Sequence, residues 1–244
     1  MDQLFTPAKL GTCELKNRIV RSATNEHLSD AKGQVTPLWA DTLIELAKNE
    51  VGLVITGHFC VDKAQRADAG QPVLDETTDE SLLRRACDGV QIHNAHGYLL
   101  SNFLNPEENL RTDEYGGSLE NRFRLIERIL RAVRTACGAD FPMIVKADSN
   151  GCGDLPALLQ LYECCGVDGA EVSGIDFNRR AGQKTPFYLD ALICEPDFAA
   201  KLKSGAQDES KCLACNGCYT IYRKRFVRCV QHTEEIEQFQ MIPW

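Results

Sequence analysis

The sequence contains no stretch of 18 consecutive apolar residues, so no segment reads as a membrane-spanning helix. It has no basic run either. Asp and Glu outnumber Lys and Arg 35 to 27, a formal net charge of −8. An acidic chain without a basic patch attracts phosphate backbones weakly, which argues against nucleic acid as a partner. The opening Met1-Asp-Gln-Leu-Phe-Thr-Pro lacks the basic-then-apolar order of an export signal. Internal repeats and low-complexity linkers are also absent. The expectation is a cytoplasmic protein, neither secreted nor attached to a membrane.

What is present is ordinary globular composition. Hydrophobic residues make up 43% and charged residues 25% of 244, which excludes a disordered or fibrous chain and suffices for a real core. Cysteine is the exception, with twelve residues. Eight of them, including Cys13, Cys60, Cys87, Cys137, Cys152, Cys164, Cys165 and Cys194, are scattered on apolar stretches and read as small buried hydrophobes. The other four crowd into 18 residues near the C-terminus.

Short apolar runs alternate with helical stretches. Candidate strands are Arg18–Ser22, Gly52–Thr56, Gly89–His93, Met143–Ala147 and Gly169–Ser173, each bounded by turn residues. Such runs suit a parallel sheet buried on both faces. Candidate helices are Pro37–Asn49, Leu119–Cys137 and Leu155–Cys165. In the second, Phe123, Ile126, Leu130, Val133 and Cys137 recur at helical spacing, with Ser118 as N-cap. The alternation predicts an α/β fold, a barrel or a doubly wound sheet. Eight strand–helix units would nevertheless have to fit within residues 17–201, fewer than the roughly 30 residues that each requires. Two joins look abrupt, one after the helix-like run Ser81–Cys87 and one within Tyr188–Cys194.

The segment Gly89–Arg122, GVQIHNAHGYLLSNFLNPEENLRTDEYGGSLENR, carries the most chemistry. His93, His96 and Tyr98 cluster where a strand ends, the end at which parallel α/β folds bind ligands. Two neutral imidazoles can each donate an N–H to an anionic or carbonyl oxygen, and a phenol can donate a proton to a developing carbanion. A zinc site would need a third ligand that is not close in sequence. Arg111, Asp113, Tyr115 and Arg122 read as a polar clamp before a helix.

This run resembles the signature of the old yellow enzyme family of flavin-dependent ene-reductases. The similarity is strongest to its bacterial NADH:flavin oxidoreductase and 2,4-dienoyl-CoA reductase branch. LFTPAKLGTCELKNRIVRSAT resembles that family's N-terminal β-hairpin and first barrel strand, VGLVITGHFCVD its second strand and ICEPDFAAKLKSG its last helix. The resemblance implies a TIM (β/α)8 barrel binding FMN, in which NAD(P)H reduces the flavin and the flavin passes a hydride to an activated C=C bond. By the same resemblance His93 and His96 bind the substrate oxygen, and Tyr98 protonates the α-carbon. Ser22, Ala23, Thr24, Asn25 and His58 line the flavin. Lys146 faces flavin N1 and O2 from the wall opposite the histidines, where a cation stabilises the reduced ring.

Some family elements have no counterpart here. A strand between the second strand and the His-bearing one is missing near 86/87, and the two final strands that hold the FMN phosphate are missing near 191/192. The expected fold is therefore an incomplete barrel over 1–205, followed by a Cys-rich tail over 206–244. In that tail Cys212, Cys215, Cys218 and Cys229 give C-x2-C-x2-C-x10-C. The spacing suits a [4Fe–4S] cluster, with zinc or free thiols as alternatives. The expected activity is NAD(P)H-dependent reduction of an activated C=C bond in a small-molecule alkene. A second copy of the chain or an electron-donor protein is the expected partner. The alternative is a degenerate barrel without flavin, acting as a metal-binding or interaction protein.

Overall fold

The structure, a computed structural model, describes residues 2–148, 151–173 and 197–206. In chain order the elements are β1 (Ala8–Leu10), β2 (Cys13–Leu15), β3 (Val20–Arg21), α1 (Pro37–Lys48), β4 (Leu53–Val54) and α2 (Glu80–Ala86). There follow β5 (Val90–Asn94), α3 (Leu99–Leu104), α4 (Leu119–Cys137), β6 (Met143–Asp148), α5 (Leu155–Cys164), β7 (Gly169–Ser173) and α6 (Phe198–Ser204). No described helix is long and apolar enough to cross a membrane.

Two compact units result, with a boundary at Cys87/Asp88. The sequence predicts one barrel domain over 1–205. The division falls at the join where that barrel is short of a strand. Helix α2 reaches β5 through Cys87–Gly89 alone, with no strand between them.

In the first unit β3 and β4 pair in parallel, Val20 opposite Leu53 and Arg21 opposite Val54. Helix α1 starts where Thr36 accepts a hydrogen bond from the Trp39 N–H and Pro37 supplies a preset φ at the first turn. It buries Trp39, Ala40, Leu43 and Leu46. Phe59 meets the Trp39 ring edge-on at 5.8 Å. Ala199 of α6 joins Leu46 and Val51 in a small cluster.

The second unit is a three-stranded parallel sheet, β5-β6-β7, under α3, α4 and α5. Strand parity divides it. Met143, Val145 and Ala147 are fully buried and face the helix layer, where Phe123, Ile126, Leu130, Leu158 and Tyr162 close the core. The alternate residues face the other way and, beyond Ile144 and Gly169 at the start, are polar (Gln91, His93, Lys146, Glu171, Asp148 and Ser173), so these strands are not apolar on both faces as the sequence predicts. Ser118 caps α4 as expected, accepting from the Asn121 N–H. The apolar stripe of α4 ends at Val133, because Cys137 lies on the exposed last turn. Only Cys152 and Cys165 of the scattered cysteines are buried among the described residues. Cys164 is exposed, and Cys13, Cys60 and Cys87 are intermediate. The tip of the β1–β2 hairpin belongs to this unit. Thr12 donates to the Asp140 carbonyl at 2.9 Å. Gly11, at φ 57, lies so close to Asp168 that a Cβ would fall 2.1 Å from its carboxylate.

Arg122 forms the expected clamp. Its buried guanidinium donates to the carbonyls of Leu104 at 2.8 Å, Cys152 at 3.0 Å and Gly117. Arg111 ion-pairs with Asp113 and lies over the rings of Phe103 and Tyr115, 5.9 Å from each centroid. The short helix α3, which is not among the helices the sequence predicts, follows directly from Tyr98.

Candidate active site

Register sets the site. His93 of β5 is the Cα partner of Lys146 in β6, and Lys146 is the partner of Glu171 in β7. One step on, Asp148 is the partner of Ser173. Paired residues in parallel strands point to the same face, so these five side chains share the polar face of the sheet. Lys146 therefore stands beside His93 and not on an opposite wall. The physical reason is the parity of the pairing.

The three predicted residues of the His-rich turn come together. The His93 ring lies 5.4 Å from that of His96 and 5.2 Å from that of Tyr98, both edge-to-face. The Ala95 N–H donates to His93 Nδ1 at 3.2 Å. That bond needs a lone pair on Nδ1, so the neutral ring carries its proton on Nε2. His96 and Gly97 both have positive φ, 65° and 75°. This tight turn folds the chain back at the end of β5 and brings His96 alongside His93. The His96 N–H donates to both oxygens of Asp148, at 3.1 and 2.9 Å, and its Nε2 lies 2.7 Å from Ser173 Oγ. Tyr98 is 45% exposed, so its phenol is reachable by a ligand. Among the described residues no three His, Cys, Asp or Glu side chains gather as a metal site.

Lys146 is buried, 6% exposed, and sits within the strand rather than in a solvated loop. Its Nζ lies 3.0 Å from Glu171 Oε1, and Gln91 Nε2 donates to Glu171 Oε2 at 2.9 Å. Glu171, Asp148 and Ser173 were missed by sequence reasoning. A signal was available: in Gly169–Ser173 a charged residue and a hydroxyl recur at a spacing of two, the pattern of one polar face.

The remaining predicted residues belong to the first unit. Ser22, Ala23, Thr24 and Asn25 follow β3, and His58 follows β4, so the two loops leave the same end of a parallel pair. They touch at Gly57, where a Cβ would lie 2.7 Å from the Asn25 Cα. The Asn25 amide donates to Asp68 at 3.1 Å, and its Oδ1 accepts from the His27 N–H at 3.2 Å. Thr24 Oγ1 donates to the Ser22 carbonyl, and the His58 carbonyl accepts from Gln71. Beneath them Arg21 and Glu26 form a buried ion pair at 2.5 Å, and Glu26 also accepts from the Gly57 N–H. Cys212, Cys215, Cys218 and Cys229 lie outside the described residues, as does the join near 191/192.

Residues 81–149 match the profile of the NADH:flavin oxidoreductase / NADH oxidase family. The chain is 28% identical over 366 positions to a protein named metal reductase from Desulforamulus reducens, covering 96% of this chain and 54% of the other. It thus spans about half of that relative. The 366 aligned positions exceed the 244 residues of the chain, so the relative carries internal segments that this chain lacks. Over 53 residues, 22% of this chain and 13% of the relative, it is 58% identical to enoate reductase 1 of Kluyveromyces lactis. Among solved structures, the old yellow enzyme homologue from Zymomonas mobilis superposes with a TM-score of 0.68 at 16% identity, covering 86% of this chain and 95% of that one. The fold is therefore the TIM barrel, incomplete among the described residues.

Proposed function

We infer that the chain is a member of the old yellow enzyme family of NADH:flavin oxidoreductases, from the family match of residues 81–149. The function that follows is an FMN-dependent oxidoreductase, using NAD(P)H to reduce the activated C=C bond of a small enone or enoyl-type molecule. The observation that carries it is the convergence of His93, His96 and Tyr98 at the end of β5. The sequence match to an enoate reductase supports the substrate class.

The polar face fits the ring end of FMN, because Lys146 is a buried ammonium set among hydrogen-bonding groups. Within the second unit, Lys146 is the residue proposed to face that group. When bound, FMN supplies the hydride that NAD(P)H delivers. The rest of the chemistry belongs to the protein. His93, with its proton on Nε2, and His96 hold the substrate's activating oxygen, where negative charge grows as the β-carbon gains hydride. Tyr98 gives its phenolic proton to the α-carbon, completing the saturated product.

In the tail, Cys212, Cys215, Cys218 and Cys229 are proposed to hold a [4Fe–4S] cluster. The support is their spacing, and zinc is the alternative occupant. Electrons for such a cluster would come from a partner protein; the alternative is a structural cluster. Iron, sulfide and zinc analysis of protein purified without oxygen separates cluster from zinc.

The test of the main reading is anaerobic. The protein is supplied with FMN, then NADH or NADPH, then cyclohexenone. Loss of the flavin bands followed by their return and by cyclohexanone is the expected result. Failure to take up FMN would favour the degenerate-barrel reading instead.

A further inference from the structure

His96 is held at two points by residues with no role in the reading above. Its backbone occupies the left-handed region at φ 65, uncommon for a residue with a side chain. Its N–H is gripped by both carboxylate oxygens of Asp148, and its ring nitrogen Nε2 lies 2.7 Å from the Ser173 hydroxyl. Asp148 and Ser173 are the last residues of β6 and β7 and are Cα partners. One rung of the sheet therefore fixes both the backbone and the ring of one histidine.

The geometry points to Asp148 and Ser173 as positioning residues for the oxygen-binding site. Asp148 stabilises the left-handed turn that brings residue 96 back toward β5. Ser173 then selects the ring orientation, so that the two imidazoles meet edge-to-face at 5.4 Å before a ligand arrives. A site built this way loses less freedom when an oxygen binds, because the donors are already placed. The role of His96 in turnover rests on the function proposed above. Its positioning by the β6–β7 rung does not.

Ring-nitrogen NMR of the full chain tests the positioning without any cofactor. Ser173→Ala should move the His96 imidazole nitrogen signals, and Ser173→Thr, which keeps the hydroxyl, should restore them. Asp148→Ala should speed hydrogen exchange at the His96 amide about tenfold, the loss of a charged acceptor. With enone as substrate, Ser173→Ala should lower kcat/KM about fivefold, the worth of one hydrogen bond, and Thr should rescue it. Unchanged His96 signals in Ser173→Ala overturn the proposal. So does an unchanged kcat/KM in a protein whose wild type is active. If the signals move but the wild type reduces no alkene, the positioning stands and the proposed function falls.

Discussion

The carboxylate of Glu171 lies 3.0 Å from the ammonium of Lys146. Its second oxygen accepts from Gln91, so one side chain ties β5, β6 and β7 together on their polar face. Glu171→Gln would leave a buried ammonium with a weaker partner. Urea unfolding should show a loss of about 1–3 kcal/mol. If Lys146 faces bound FMN as proposed, the same change exposes its full charge to the reduced ring. The midpoint potential should then move in the positive direction.

If Tyr98 is the proton donor of the proposed function, Tyr98→Phe separates the two half-reactions. Alkene reduction needs a proton at the α-carbon and should slow by about 10²–10⁴-fold. Hydride transfer from NAD(P)H needs no such proton and should keep its rate. Stopped-flow absorbance of each half-reaction checks this. Both half-reactions unchanged would assign the acid elsewhere.

Arg122→Ala should fail at folding rather than chemistry. Three carbonyls, from Leu104, Gly117 and Cys152, lose their shared donor. Leaving them unsatisfied should cost about 3 kcal/mol. Arg122→Lys should recover only part, since an ammonium cannot reproduce the planar fork. Thermal unfolding of the two variants ranks them.

Tyr162 sets a pH dependence. Burial pushes its phenol well above the ordinary value, against the smaller opposing effect of the hydrogen bond from Asn94. The folded chain thus keeps this proton after the unfolded chain would lose it. The resulting stabilisation is complete below about pH 10 and is lost as pH rises beyond it. Tyr162→Phe should flatten that alkaline decline. It should also cost about 1–2 kcal/mol at neutral pH, because the Asn94 amide loses its acceptor. Urea unfolding from pH 7 to 11 measures both effects.

Apart from α3, the strands and helices of the second unit are legible to within a residue or two, because their signals are local. Ser118 opens α4 and an apolar stripe follows, while MIVKA and GAEVS are short, bounded runs. The first unit's strands shrink to two residues each, Val20–Arg21 and Leu53–Val54, since pairing and not propensity sets their length. The His93–His96–Tyr98 cluster was legible because it lies within six residues of chain. Glu171 and Ser173 were not, since they reach Lys146 and His96 only through strand pairing across 25 and 77 positions. The carboxylate partner of Lys146 is hidden for the same reason, since Glu171 meets it only across paired strands.

The parity of β6 has a consequence for inheritance. Met143, Val145 and Ala147 build the core, while Lys146 and Asp148 serve the opposite face. Inserting or deleting one residue within this strand would exchange the two sets, sending an ammonium and a carboxylate into the apolar layer. Descendants of this sequence can lengthen or lose loops between elements at modest cost, but a frame slip inside β6 destroys fold and chemistry together. Variation in the lineage should therefore accumulate at the joins, leaving the spacing Met143-x-Val145-x-Ala147 as the ruler against which any shortened relative can be aligned.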